Sequence, residues 1–275
     1  MVGPSGKAMK VSDAVGTFAI VFVLPEDIAL TSGSPKFHRN FLDVYLCQFS
    51  RKYLLGLLEY RKILKQRNAL LKKLKTVRSG AMLRHLDSWD RALVKPSARI
   101  MAARRKFIEE ISPKVGELSS RISGSADLVE IHYTPRLPAE LIDNPAAVEA
   151  KFGAERERDI RAGTSTLGPH RDTIKILVCE QPLRSFGSMG QKKSALIAMK
   201  LAVLDFLSKQ RGEPAILVLD EAFAALDPQR SRNLMQLLSN AGQVFLASAS
   251  SDAIDISGEA RIFDVNTGTV SQRGS

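Results

Sequence analysis

The sequence is poor in the residues that staple small secreted domains or build metal centres. It has two cysteines, Cys47 and Cys179, and four histidines among 275 residues. The thiols lie far apart in apolar surroundings and no Cys/His group has metal-ligand spacing, which excludes a disulfide framework and a zinc centre. Both read as buried thiols of a reducing compartment. No apolar run approaches the roughly 20 residues that a bilayer crossing needs; the longest, residues 18–24, suits one buried strand. A basic-then-apolar secretory signal is missing from the start, and no repeat or low-complexity linker follows. What is left is a cytoplasmic globular chain with no membrane partner, long enough for one large domain or two small ones. Its 44% hydrophobic and 25% charged residues are ordinary for that class.

Positive charge, by contrast, is abundant and unevenly placed. The formal net charge is +11, and between Arg51 and Glu110 there are 17 Lys and Arg against 5 Asp and Glu. The rest of the chain is close to neutral, so the basic character belongs to this segment. Such a concentration favours a polyanionic partner, nucleic acid ahead of a membrane surface. The competing reading is a solvated helical face with no specific partner.

Periodicity divides the chain. Residues 17–24 read as a buried strand that Pro25 ends. From 37 to about 123 the pattern is helical. Tyr53, Leu57, Tyr60, Leu64, Leu71 and Leu74 form one apolar stripe, with Arg67 filling its single gap, and Ile100, Ala103, Phe107, Ile111, Leu118 and Ile122 form a second. A break at Ser79-Gly80 between them predicts an antiparallel helical hairpin, and Pro96 and Pro113 are expected to start, bend or interrupt its helices. Strands are expected at 128–133 and 173–178, with a polar helix at 140–161 between them. From Gly187 onward helix and strand alternate: helix 189–210, strand 215–219, helix 228–240, strand 243–247, and short strands near 261–265 and 269–271. That alternation predicts a parallel α/β sheet covered by helices.

The strongest chemical signal is Ala215-Ile216-Leu217-Val218-Leu219-Asp220-Glu221. A buried strand here delivers two carboxylates at its C-terminal end, where ligands bind in open α/β sheets. This is a Walker B pattern. Asp220 is placed to hold a nucleotide-bound Mg²⁺ through water, and Glu221 to orient or deprotonate an attacking water. Six residues on, Ala225-Leu226-Asp227 opens the next helix; Asp227 before Pro228 is also a sound helix N-cap. Upstream, Phe186-Gly187-Ser188-Met189-Gly190-Gln191 precedes a long helix whose free N–H groups and positive dipole end suit a phosphate. Thr166-Leu167-Gly168-Pro169-His170-Arg171-Asp172, read on its own, is a turn with a salt-bridging Arg171.

In their order these blocks resemble the RecF family of DNA repair proteins, relatives of the ABC and SMC ATPases. Gly168 to Asp172 is similar to the family's G-P-H-R-D block. Phe22 to Asp27, Gly33-Ser34-Pro35, Arg39 to Asp43 and Leu64 to Leu71 also resemble RecF blocks, so the likeness spans nearly the whole chain. It implies an ABC-type P-loop ATPase lobe of the α/β class carrying an inserted α-helical hairpin arm. Ser188, Gly190 and Gln191 would be the signature motif reading the γ-phosphate on a partner subunit, and Asp227 the D-loop. Ser248 would occupy the switch position, where ABC transporters carry histidine. The cofactors implied are ATP and Mg²⁺, with Asp220 as the metal-side residue and Glu221 as general base.

The resemblance further implies an ATP-dependent homodimer that binds single-stranded and gapped double-stranded DNA. Such a dimer would aid recombinase loading through mediator proteins, in recombinational repair and the SOS response. Arg61, Lys65, Arg67, Lys72 and Lys73 would supply phosphate contacts that are salt-dependent and sequence-independent.

One departure stands out. A Walker A loop, G-x-x-x-x-G-K-[ST], is missing. Gly3-Pro4-Ser5-Gly6-Lys7-Ala8 only imitates it, and the family carries the loop ahead of the Phe22–Asp27 block. The expected organisation is therefore 1–36 as a remnant of the N-terminal ATPase lobe, 37–125 as the arm, and 126–275 as the C-terminal part of the lobe. The alternative is a truncated, non-hydrolysing DNA-binding or protein-interaction module. An ABC transporter subunit is disfavoured by Ser248 and the arm, and the arm is too short for an SMC coiled coil.

Overall fold

The computed structural model describes residues 15–125, 127–239, 241–249 and 260–273. The Gly3–Ala8 imitation of Walker A lies outside them. Three parallel strands form the centre, with β5 (Ile216–Asp220) between β1 (Ile20–Val23) and β6 (Val244–Ala247). Val23 stands opposite Leu219 on one side, and Leu219 opposite Leu246 on the other. Val21, Val23, Leu217 and Leu219 are fully buried, as the aliphatic runs require. The outer edge of β1 does not run bare: the Gln48 amide accepts from Ile20 N and donates to Ile20 O, both at 3.1 Å. A side-chain amide here stands in for a neighbouring strand.

A second sheet is antiparallel. The register of β2 (Val129–Thr134) with β3 (Thr173–Val178) runs from Val129 opposite Val178 to Thr134 opposite Thr173, and the two-residue β4 (Gln181–Pro182) completes it. The expected strand at 173–178 is found with those bounds, but it joins this sheet, not the parallel one. An exposed hairpin, β7 (Phe263–Asn266) with β8 (Thr269–Gln272), is the third sheet.

Three helices build the arm and its root: α1 (Pro35–Phe49), α2 (Arg51–Thr76) and α3 (Gly80–Ser123). Ser50 and Ser79 cap α2 and α3, accepting from Tyr53 N at 3.2 Å and Met82 N at 3.3 Å. Pro96 and Pro113 do not break α3, which is continuous over 44 residues. Leu86, in the first half of α3, packs with Leu71 and Leu74 of α2, and the second half reaches β2 through Ser112 and Ser119 and α5 (Met189–Arg211) through Glu110. Packing at both ends outweighs the hydrogen bonds that the prolines remove. A further helix, α4 (Pro145–Ala162), lies against both α2 and α3.

One apolar core runs from the parallel sheet through α5 and α3 into the base of α2, and a smaller cluster of Leu71, Leu74, Leu86 and Ile160 holds the outer arm. Helix α5 is buried almost all round from Lys193 to Leu204. Its Lys200 is answered inside that core by Asp27 Oδ2 at 2.8 Å and Tyr45 Oη at 3.1 Å. The last helix among the described residues, α6 (Pro228–Leu238), leads from β5 towards β6. Neither cysteine fits the expected buried thiol: Cys47 is half-buried and Cys179 exposed in the β3–β4 turn. Among the described residues no helix is long and apolar enough to cross a membrane.

Candidate nucleotide edge and basic arm

β5 ends in Asp220, and Glu221 follows with φ 49, a left-handed residue that turns the chain sharply out of the sheet. Glu221 N still donates to Ala247 O at 3.1 Å. Its Oε1 accepts from Ala249 N at 2.8 Å, so the carboxylate reaches the end of β6 beside Ser248. Glu221 O accepts from Lys193 Nζ at 3.0 Å. Lys193 is buried, which lowers its pKa, while the carboxylates of Glu221, Asp220 and Asp27 oppose that shift. Asp220 is half-buried, and its carboxylate makes no hydrogen bond or ion pair among the described residues. A free carboxylate at the C-terminal end of a central parallel strand is a fitting donor for a hard cation.

Ser188 caps α5 in a reciprocal box. Its Oγ accepts from Gln191 N at 3.2 Å, and Gln191 Oε1 accepts from Ser188 N at 2.9 Å. Gly187 has no room for a side chain: a Cβ there would meet Leu183 Cδ1 at 2.5 Å and Leu183 O at 2.7 Å. A Cβ on Gly190 would lie 3.4 Å from Arg230 Nη1 and 3.8 Å from Ala225 O, so the loop after Walker B passes directly by the signature turn. Asp227 caps α6, accepting from Arg230 N at 2.9 Å.

Two residues that sequence reasoning missed join these turns. Asp127 accepts from Gln191 Nε2 at 2.8 Å and from Arg230 Nη2 at 2.7 Å, and Arg230 Nε reaches Asp227 at 3.0 Å. Neither sits in a recognisable motif. Only the fold brings the start of β2 and the first turn of α6 to the signature helix. Ser188, Gly190, Gln191 and Asp227 thus form one connected group, and Asp220, Glu221 and Ser248 form a second beside it.

The Gly168–Asp172 block lies elsewhere, at the root of the arm. Gly168 has φ 124, and a Cβ on it would come within 3.0 Å of Tyr60 Oη. His170 Nε2 donates to Ser165 O at 2.9 Å, leaving Nδ1 to accept from Tyr60 Oη at 2.5 Å. Burial pushes the imidazole pKa down to about 4, so it is neutral at physiological pH. Asp172 is fully buried and accepts from Tyr133 Oη and from Arg136 N, the latter at 3.0 Å. Arg104, itself 2% exposed, donates to Pro169 O at 2.6 Å, Asp43 at 2.7 Å and Tyr53 Oη at 3.0 Å. The expected salt bridge of Arg171 is not formed: its Nε and Nη2 both donate to Ser165 O, at 3.2 and 3.1 Å. Asp172 and Arg104 carry the ionic contact instead, because they are the pair enclosed between α3 and β3.

Comparison with known proteins supplies the family. Residues 183–240 match the family described as SbcC/RAD50-like, Walker B motif. The DNA replication and repair protein RecF of Latilactobacillus sakei subsp. sakei is 31% identical over 268 residues, covering 95% of this chain and 71% of that protein. The protein of the same name from Shouchella clausii is 34% identical, covering 95% of this chain and 72% of that protein. The chain belongs to the RecF family. Among solved structures, that of the recombination mediator protein RecF-ATP in the RecFOR pathway superposes with a TM-score of 0.82 at 27% identity, covering 98% of this chain and 71% of the other. The α/β ABC-type ATPase fold expected from the resemblance is the fold observed.

The RecF arm sorts its basic residues by face. Arg61, Lys65, Lys72 and Lys73 are exposed, with Arg61 also donating to Asp43 at 3.1 Å. At about 100° per residue, Arg61, Lys65, Asn68, Lys72 and Lys75 share one side of α2, and Lys73 points well away from it. Arg67 is corrected: it is 1% exposed and cannot reach a phosphate. It occupies the gap in the apolar stripe, where Asp90, Asp159 and Ser165 Oγ each accept from it at 2.7 Å. Its Nη2 has no hydrogen-bond partner among the described residues.

Proposed function

We propose that this chain works as a RecF-type ATPase of DNA repair, in which ATP governs pairing of two copies and the basic arm holds DNA. The observation that carries the reading is the carboxyl edge of the parallel sheet, where unpartnered Asp220 and turned-out Glu221 adjoin a capped signature helix bonded through Asp127 and Arg230 to the D-loop residue Asp227. Asp220 would face Mg²⁺, usually through water, and bound ATP·Mg²⁺ would supply the scissile γ-phosphoryl group. Glu221, held by the Ala249 amide, would orient water. Ser188, Gly190 and Gln191 would present their N–H groups and hydroxyl to a nucleotide on the second copy. Arg61, Lys65, Lys72 and Lys73 would meet phosphates of single-stranded and gapped DNA. By analogy with the recombination mediator in the RecFOR pathway, the assembly would act with mediator proteins in the cytoplasm.

A second reading, a non-hydrolysing DNA-binding or protein-interaction module, is favoured by the exposed cations of the arm, which need no nucleotide to meet a partner. One experiment separates them. The chain is titrated with a fluorescent ATP analogue and Mg²⁺ while light scattering follows its mass, with Glu221→Gln to slow turnover and Ser188→Arg to obstruct pairing. Saturable binding with doubling of mass, lost in Ser188→Arg, is the expected result. Neither binding nor pairing would sink the ATPase reading for this chain and leave the second.

A further inference from the structure

Most arginines of the arm and its root are neutralised within the fold. Arg67, Arg104, Arg105, Arg78 and Arg156 each meet a carboxylate at 2.5–2.9 Å. Arg39 and Arg171 do not. Arg39 Nη1 donates to Asp172 O at 3.1 Å, and Arg171 donates twice to Ser165 O, so both guanidiniums are anchored on backbone carbonyls. Neither forms an ion pair among the described residues. Carbonyl anchors fix a guanidinium without cancelling its charge, and they leave further N–H groups free to donate to an oxyanion in bidentate fashion. The two lie close together, since the carbonyl that holds Arg39 belongs to Asp172, the residue next to Arg171. Burial and the cations Arg104 and Arg171 lower the pKa of Arg39, and the carboxylates of Asp172 and Asp43 oppose that shift.

Their position is fixed relative to the arm. Ser165, whose carbonyl holds Arg171, donates from N and Oγ to Asn68 Oδ1 at 2.8 and 2.7 Å. Asn68 sits in the middle of the α2 face that carries Arg61, Lys65, Lys72 and Lys75. The loop is pressed against that face at its far end as well, since a Cβ on Gly163 would lie 3.1 Å from Lys75 Cδ. From Arg61 to Lys75 the row is about 21 Å long at the helical rise of 1.5 Å per residue. Glu59, the one acid of α2, points to the opposite side.

We propose that the DNA track does not end with the arm but continues onto the ATPase lobe through Arg171 and Arg39, which grip one further stretch of the phosphate backbone. The inference rests on the DNA-binding reading above and deepens it. Four cations at helical spacing, with carbonyl-anchored guanidiniums joined to the same face through Ser165 and Asn68, match a backbone of evenly spaced phosphates more closely than an acidic peptide. It also places DNA against the block that joins the arm to the lobe.

The test is fluorescence anisotropy of a labelled duplex oligonucleotide over a salt series. It compares the wild-type chain, the pair Arg39→Gln/Arg171→Gln, the arm set Arg61→Gln/Lys65→Gln/Lys72→Gln, and Lys209→Gln as a charge control on an exposed, Asp205-paired lysine. Each lost phosphate contact lowers the slope of log K against log salt by about 0.9 and weakens binding about fivefold near physiological salt. The lobe pair should therefore lose about 2 from the slope, Arg171→Lys should keep most of the affinity, and Lys209→Gln should match wild type. Melting temperatures confirm that each variant is folded. A lobe pair that binds like wild type while the arm set fails overturns this inference and spares the arm reading. No salt-dependent binding by the wild type overturns both. Loss in the lobe pair of polyglutamate binding, with DNA binding intact, overturns it in favour of an acidic polypeptide.

Discussion

Around Arg104, Tyr53 Oη, Asp43 and the Pro169 carbonyl take Nε, Nη2 and Nη1 at 3.0, 2.7 and 2.6 Å, and Asp172 closes the group at 3.5 Å. At the carboxyl edge of the parallel sheet, Asp220 has no such partner, and Glu221 has one backbone amide and a left-handed φ. Both regions are made of charged and polar side chains, yet they are built for different ends. Around Arg104 the charges are desolvated, and so they have to be answered inside the chain. At the sheet edge the groups stay half-exposed, where water can solvate them until a ligand takes its place. Buried and satisfied charge signals architecture here, and partly exposed, unsatisfied charge signals chemistry.

The sharpest way to break that contrast is to remove the central cation of the root. Arg104→Met leaves Asp172 and Asp43 facing each other across a dry interface, and it should cost about 3–5 kcal/mol in urea denaturation. Arg67→Met in the outer arm should cost less, about 2–3 kcal/mol. Asp90 keeps Arg156 at 2.8 Å, Asp159 keeps the Thr166 amide at 2.8 Å, and the wild-type Nη2 is already unpartnered. A loss under 1 kcal/mol in Arg104→Met would show that the root is open to water, and the distinction would fail.

How much of this was legible follows the same line. The Walker B strand, the signature cap and the D-loop cap are local patterns, in which neighbours in sequence supply each other's partners. Ser188 with Gln191 and Asp227 with Arg230 are three residues apart, and the Asp227 cap turned out as read. The parallel pairing of β5 and β6 followed from aliphatic runs alternating with helices. Arg67, Asp127 and Arg104 were not legible in this way. Arg67 meets Asp159, 92 residues on, and Asp127 meets Arg230, 103 residues on. A gap in an apolar stripe marks a buried cation only when its counter-ion is known, and periodicity says nothing about that. The prolines of α3 do not interrupt the helix, for the related reason that packing at a distance overrides a local breaker.

The next effect is a pH dependence confined to the root. His170 has a folded pKa of about 4 against an ordinary 6.5, so the unfolded chain binds the extra proton between those values. This contribution to stability is full above pH 6.5 and falls as pH drops towards 4. Between pH 7 and pH 5 the loss should be about 2 kcal/mol from this residue. His170→Gln should remove that share of the slope while keeping a donor for the Ser165 carbonyl. An unchanged slope would place the proton elsewhere.

The smallest effect probes the sheet edge. Asp127 is buried and bridges Gln191 to Arg230, so by burial alone it belongs with Arg104. Its partners are otherwise provided for. Arg230 keeps Asp227 at 3.0 Å and Ser194 Oγ at 3.2 Å, and Gln191 keeps its capping bonds to Ser188. Asp127→Asn removes one charge and retains one acceptor, so it should cost only about 1 kcal/mol. Its larger consequence should be on nucleotide-dependent pairing, because the signature turn and the D-loop would lose the side chain that sets their spacing. The measurement is denaturation and light scattering with ATP on the same preparation. Near-native stability with weakened pairing is the expected result. Destabilisation as large as that of Arg104→Met, with pairing intact, would mean that the edge is held together for stability like the arm root, and the two regions would no longer differ in kind.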